Sequence, residues 1–305
     1  MVSYFENKIS PLKPFASIPC GGYFLYIAIK ITLPMARLYF ILLLFVCLIT
    51  IVFPLPAQPP IQVGKEFKEE LLSRQTELLE DASKSLTIQN VLTQQSLFKP
   101  NAKPFINPGF TNSYYWVRFQ LTNPDSVRKD LILEVENPHI NKLQLFTVSG
   151  KQVSAGILTG DHFPFAQRPV KHPHFLFPIS VPPSQTLTFY LWTDKHGEQL
   201  QIPLRLWEKD HFSTKGYILF LFIGLLLGIT SLYCLISFFT YIFFRQKITF
   251  YYWIYTTAVW LFLVAHTGLG FQLFWSESTW WTSAARPTTA FLMNSFILLF
   301  TNKFF

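Results

Sequence analysis

The sequence predicts an all-β, jelly-roll-like sandwich followed by α-helical transmembrane segments. Residues 217–244 carry no charged side chain; as a helix they would span roughly 40 Å, more than the roughly 30 Å of a bilayer core. Between residues 114 and 212, short runs of alternating apolar and polar residues are punctuated by Asn-Pro, Ser-Gly and Pro-Pro, which is the period and turn chemistry of strands. Charge is also segregated. The chain is formally +8, yet residues 58–213 balance sixteen Lys/Arg against fifteen Asp/Glu. The basic excess therefore lies beside apolar segments, a pattern of membrane topology that argues against nucleic acid as a partner.

Residues 1–34 read as a mis-annotated N-terminal extension. Met35-Ala36-Arg37 then opens a short basic start, an apolar core over residues 38–53 and a Pro54-Leu55-Pro56-Ala57 cleavage region. That is a signal peptide over residues 35–57, or an uncleaved signal anchor in the same place. Residues 58–213 are then exported as the sandwich. No cysteine falls among them, so they hold no internal disulfide.

Within that region, residues 67–72 and 78–80 suit a short amphipathic helix or a solvated lead-in, and residues 85–97 a loop or edge strand. Strands are expected over residues 115–122, 131–136, 142–148, 174–179, 187–193 and 201–207. Residues 211–216 form a short link. Membrane spans follow at about 217–244, 248–267 and 287–302, making residues 214–305 a partial bundle. His266-Thr267-Gly268-Leu269-Gly270 breaks the second from the third. Arg245, Lys247 and Lys303 fall inside and Glu277 outside, while Lys215 and Arg286 on the outer side weaken the bias.

Two clusters are candidate ligand-binding residues. Trp116 and Arg118 share one strand face, either as a surface that stacks a sugar ring and hydrogen-bonds its hydroxyls, or as a core aromatic beside a structural ion pair. Asp161, Phe165, Arg168 and His172 lie in a long inter-strand connection. There Arg168 either grips a carboxylate or sugar hydroxyl or pairs with Asp161 to pin the loop. Gly224 and Gly228 form a small-xxx-small motif for helix packing. His172-Pro173-His174, with His162 nearby, invites zinc, but no cysteine or fixed carboxylate spacing accompanies them, and no metal or other cofactor is assigned. Glu134 and Glu136 share a face as solvated strand carboxylates rather than a glycosidase pair. With no nucleophile elbow or phosphate loop, the chain is read as not an enzyme.

In order and spacing these pieces resemble one family. They are Tyr115-Trp116-Val117-Arg118-Phe119, Asn123-Pro124, Glu134-Val135-Glu136-Asn137-Pro138, Gly160-Asp161, Phe165-Ala166-Gln167-Arg168-Pro169, His172, Phe175-Leu176-Phe177-Pro178 and Pro203-Leu204-Arg205-Leu206-Trp207. In the membrane part they are the glycines of residues 224–228, Tyr251-Tyr252 and Gly268-Leu269-Gly270-Phe271. The chain resembles the bacterial 7TM-DISM receptors, seven-transmembrane proteins with diverse intracellular signalling modules. The resemblance implies an extracytoplasmic sandwich that senses a small ligand, for which the Trp116–Arg118 face suggests a carbohydrate, and a helical bundle that passes the signal to a kinase, cyclase, phosphatase or DNA-binding output. It implies a multi-pass protein of the inner (cytoplasmic) membrane with residues 58–213 in the periplasm, partnered by lipid and by a second copy or a downstream signalling protein. About three helices and no output are present, the pattern of a truncated frame, a gene fragment or a split receptor. A non-signalling membrane-anchored interaction module is the alternative.

Overall fold

The computed structural model describes residues 58–304. The expected extension over residues 1–34 and the signal segment over residues 35–57 lie outside the described residues. Thirteen strands are described: β1 (Ile61–Gln62), β2 (Glu69–Leu71), β3 (Glu77–Asp81), β4 (Lys99–Pro100), β5 (Ile106–Phe110), β6 (Tyr114–Thr122), β7 (Lys129–Val135), β8 (Lys142–Ser149), β9 (Gln152–Ala155), β10 (Phe175–Val181), β11 (Thr186–Asp194), β12 (Gln199–Ile202) and β13 (Leu204–Glu208). The helices are α1 (Ile88–Thr93), α2 (Lys209–Phe244), α3 (Lys247–His266), α4 (Leu269–Leu273) and α5 (Thr279–Phe304).

The large sheet runs β4-β3-β6-β11-β8-β9, with β1 parallel to the end of β6. A second sheet runs β10-β7-β13-β2, and β12 pairs with β5. Alternation on β6 explains how they stack. Tyr115, Val117, Phe119 and Leu121 point into the main core, with Leu131, Leu133 and Val135 of β7 and Phe189 of β11. Phe119 and Phe189 stack with ring centroids 5.2 Å apart. The opposite face of β6 is covered too. Trp116 lies with Leu79, Phe146 and Tyr190 beneath Ile88 and Val91 of α1.

That cover is where the N-terminal reading needs correcting. Residues 69–71 and 77–81 are strands rather than helix, and the helix lies at 88–93, in the stretch expected to be loop or edge strand. Thr87 and Asn90 build it. The Thr87 side chain accepts from the Asn90 amide and the Asn90 side chain accepts from the Thr87 amide, a capping box that satisfies two otherwise unpaired donors. The expected strand over residues 201–207 is also two strands. Pro203 has no amide proton to donate, so the chain changes partners there, β12 pairing with β5 and β13 with β7 and β2.

The expected link over residues 211–216 is helical. β13 ends at Glu208 and α2 starts at Lys209, so strand passes into helix with no loop between. At 36 residues α2 extends about 54 Å, so roughly 24 Å exceeds what a bilayer core needs. Among the described helices, α2 and α3 are each long and apolar enough to cross a membrane. The third expected span lies within α5, which is less apolar and holds Pro287. Arg245, in a left-handed conformation, closes α2, and α2 packs on α3 through Ser237 Oγ–Thr256 Oγ1 at 2.8 Å and the Phe238–Trp253 rings. Gly224 and Gly228 take no part, because a Cβ at either would meet nothing within 4 Å.

Candidate functional site

The polar chemistry of this chain gathers where the sandwich meets the helices. Gly268 ends the turn after α3 at φ +76°, and a Cβ there would lie 2.7 Å from Pro138 Cβ and 3.4 Å from Pro173 Cβ. Only glycine fits both that backbone and that approach. The sandwich loops at Pro138 and Pro173 therefore seat directly on the α3–α4 turn. One residue on, His139 Nε2 lies 3.0 Å from the His266 carbonyl oxygen. Phe165 donates its amide to the Ser276 carbonyl at 2.9 Å, and its ring meets Phe271 of α4 edge-on at 5.6 Å.

Arg168 holds this seat together. Its Nη1 donates to the carbonyls of His172, at 2.9 Å, and Pro173. Its guanidinium lies over the rings of Phe175 at 4.2 Å, Phe165 at 4.9 Å and Phe271 at 5.6 Å. Burial lowers its pKa to about 9, with the charge of Asp161 opposing the shift, so it remains a cation at neutral pH. No Asp161–Arg168 ion pair forms among the described residues. Asp161 instead accepts from Asn141 Nδ2 at 3.1 Å, and Arg168 is satisfied by carbonyls. His172 is buried, with its ring 5.3 Å from Phe220 and 5.8 Å from Phe212, both on α2.

So three of the four loop candidates (Phe165, Arg168 and His172) touch the helices, and Asp161 anchors the loop behind them. The pairing of Trp116 and Arg118 lies elsewhere. Trp116 is 2% exposed and closed over by α1, which leaves no face for a ring to stack on. Arg118 is bound to Glu77 at 2.5 Å and sits over the Phe98 ring at 4.4 Å. Its guanidinium nonetheless lines a groove of about 450 Å³ on the outer face of the large sheet, with Gln95, Gln120, Lys151, Thr186 and Thr188.

Several cavities open at the junction itself, two of them bearing on this chemistry. The larger, about 500 Å³, is lined by Glu136, His139, Glu198, His266 and Arg286. Arg286 of α5 reaches Glu198 at 2.5 Å, and Lys195 holds the other oxygen of Glu198 at 2.8 Å. Burial, with the Arg286 charge beside it, pushes the pKa of His139 down to about 3. The smaller cavity, about 350 Å³, lies between Glu134, His172, His174 and Trp207 on the sandwich and Phe212 and Lys215 on α2. Glu134 Oε1 is 2.7 Å from His174 Nδ1, and Oε2 accepts from Trp207 Nε1 at 2.7 Å. Burial acts to raise the Glu134 pKa, but those hydrogen bonds and the neighbouring imidazoles outweigh it and hold the carboxyl below its usual value.

Sequence reasoning missed Pro138, His139, Glu134 as a member of a cluster, Glu198 and the role of Arg286. One signal was present: a single arginine within an otherwise apolar segment calls for a partner.

Two family models match the chain: "7TMR-DISM extracellular 2" over residues 73–208 and "7TM diverse intracellular signalling" over residues 219–305. No curated protein matches. Among solved structures, TmCBM61 in complex with β-1,4-galactotriose aligns at 7% identity and a TM-score of 0.24, over 44% of this chain and 88% of that one. A Bacillus thuringiensis Cry1Da tryptic core variant aligns at 11% identity and 0.27, over 50% and 25%. A GH115 4-O-methyl-α-glucuronidase, BtGH115A, aligns at 11% and 0.20, over 34% and 16%. Superpositions this loose decide neither fold nor ligand. The family models follow the two parts of the architecture in order: a sensor sandwich outside the cytoplasm, then the start of the membrane bundle. With a model on each part and together spanning most of its length, the chain belongs to the 7TM-DISM family of membrane receptors.

Proposed function

We propose that this chain is the sensing part of a multi-pass receptor of the bacterial inner membrane. Its sandwich, residues 58–213, would face the periplasm, bind a small neutral ligand of the carbohydrate class, and shift the helices when it does so. The observation that carries this reading is the loop-free passage from β13 into α2. A flexible tether would dissipate a change in the sandwich, whereas a strand continued as a helix transmits it. The seating of Pro138, Phe165 and Pro173 on the far side of the bundle gives that motion a second point of contact.

The ligand site that fits is the groove on the outer sheet. Gln95, Gln120, Thr186 and Thr188 present amides and hydroxyls to it, and Arg118 adds a guanidinium already neutralised by Glu77. Apart from Lys151, the convergent donors and acceptors are uncharged or already neutralised, which suits a polyol. The test uses the full chain in lipid nanodiscs, with spin labels at Val127, exposed on the sandwich and outside the groove, and Arg245, and a panel of mono- and disaccharides. A sugar that raises the unfolding temperature and changes the label separation supports the reading. No thermal shift with any sugar removes carbohydrate as the ligand. Binding with an unchanged separation makes the chain a membrane-anchored binding module.

A further inference from the structure

The geometry points to a divalent transition-metal site of the zinc class at the sandwich–α2 junction, formed by Glu134, His172 and His174. One ligand atom from each of the three lies within 4.8 Å of the other two. They come from one strand, β7, and the segment leading into its neighbour β10. Glu134 is the penultimate residue of β7 and pairs with Leu176 of β10, while His172 and His174 flank Pro173 just before β10 begins. The proline between them fixes the local backbone, so the two imidazoles are held at a set separation rather than on a floppy loop. Two nitrogens and one carboxylate oxygen make a donor set that zinc accepts with one position left open, whereas calcium and magnesium prefer oxygen alone.

Electrostatics favour a cation here. Of the three carboxylates bordering the cavity, Glu136 is bound to Arg205 at 2.6 Å and Glu69 to Lys215 at 3.5 Å. Glu134 makes no hydrogen bond or ion pair with a Lys or Arg among the described residues, although the charge of Arg205 on the neighbouring strand acts on it; its direct bonds are to His174 and Trp207. The Trp207 bond fixes the orientation of the carboxylate from behind, as outer-shell donors do at metal sites. Ligands at about 2.0–2.1 Å around a tetrahedral ion stand about 3.3 Å apart, so the Glu134–His174 contact of 2.7 Å must open by about 0.6 Å, while the cluster's wider separations, all within 4.8 Å, must close by at most about 1.5 Å. Water from the adjoining cavity would fill the fourth position.

The location gives such an ion a consequence. His172 packs its ring edge-on against Phe212 and Phe220 of α2, and Trp207 meets His211 at a tilt and Phe212 edge-on. Drawing His172 and Glu134 together would move two aromatic supports of α2 at once. This site is separate from the outer groove, and its occupation does not depend on which ligand the groove takes.

The experiment is a titration of the full chain, in detergent micelles and without added histidines, with Co²⁺ and then Zn²⁺ at neutral pH. The expected result is one Co²⁺ per chain, with tetrahedral ligand-field absorption that Zn²⁺ removes and a metal-dependent rise in unfolding temperature. His174→Gln, which keeps an amide donor for Glu134, should weaken binding at least tenfold with little change in metal-free stability; His172→Gln should weaken it equally, with some loss of metal-free stability because its ring packs on Phe212 and Phe220. His162→Gln, which lies outside the cluster, should bind as the parent does. Absence of saturable Co²⁺ binding by the parent chain overturns the proposal, as does equal affinity among the parent, His174→Gln, His172→Gln and His162→Gln.

Discussion

Arg286 of α5 and Glu198 of the sandwich stand 2.5 Å apart, and Lys195 holds the second carboxylate oxygen. One membrane-proximal helix is thereby tied to the edge of the sensor by a bond that neither part can form alone. Both side chains are partly exposed, at 23% and 33%, so the pair is worth about 0.5–1 kcal/mol rather than the value of a buried bridge. A double-mutant cycle on Arg286→Ala and Glu198→Gln, read by chemical unfolding of the full chain, should return a coupling of that size. A coupling near zero would show that the two parts are held by the apolar contacts alone.

Gly268 is closed to substitution at the seat between sandwich and helices. Gly268→Ala must adopt a positive φ and meet Pro138 at 2.7 Å, a cost of about 1–3 kcal/mol. Hydrogen exchange at the loops around Pro138 and Pro173 should accelerate as the seat loosens. Gly216, within α2 and with nothing near its Cβ, is the control: Gly216→Ala should be neutral or stabilising by up to about 1 kcal/mol.

His139 makes the junction acid-sensitive. Its pKa is about 3 in the folded chain against an ordinary value near 6.5, so between those values the unfolded chain holds a proton that the folded chain refuses. Stability therefore rises with pH across that window and is lost as pH falls through it. Arg286 and Lys195 oppose protonation there, while Glu198 and the His266 carbonyl favour it. His139→Gln should flatten the dependence of unfolding free energy on pH between about 6.5 and 4, by at most ~1.4 kcal/mol per pH unit. An unchanged slope would mean that the ring meets solvent.

The Arg118–Glu77 bond separates support from recognition in the outer groove. Glu77→Gln keeps a hydrogen-bonding group but leaves a guanidinium 9% exposed without its counter-charge, which should cost roughly 3–5 kcal/mol. Gln120→Ala, on a half-buried amide whose bond to Thr188 is 3.3 Å, should cost less than about 1 kcal/mol while reducing sugar affinity. Equal sugar binding by the parent and Gln120→Ala would place the ligand elsewhere.

What could be read in advance follows the range of the forces involved. The alternation of Tyr115, Val117, Phe119 and Leu121 is local, so β6 was legible. So was the apolar run of α2, because a bilayer demands it of consecutive residues. Helix α1 was hidden by a single residue type: Asn90 performs at the third helical position what Glu or Gln usually does. The junction was legible only in halves. Arg168 and His172 stood out in the loop, but nothing local says that their neighbours are Phe271 and Phe220, or that Glu134, 40 residues before His174, completes a cluster. Arg286 read as an exception to the charge bias of the loops until Glu198, 88 residues away in sequence, supplied its reason.

The direct passage from Glu208 into Lys209 makes the angular phase of the sensor a property of residue count. A helix turns about 100° and rises 1.5 Å per residue. One alanine inserted after Gly216 would therefore try to swing the sandwich by about 100° around α2, while Gly268, Phe165 and Arg286 hold its other side in place. Seven inserted residues would restore the heading to within about 20° yet lift the sandwich about 10 Å off its seat. Length between strand and membrane is thus quantised: this junction can change only together with the sandwich loops at Pro138, Phe165 and Pro173 and the turn that receives them.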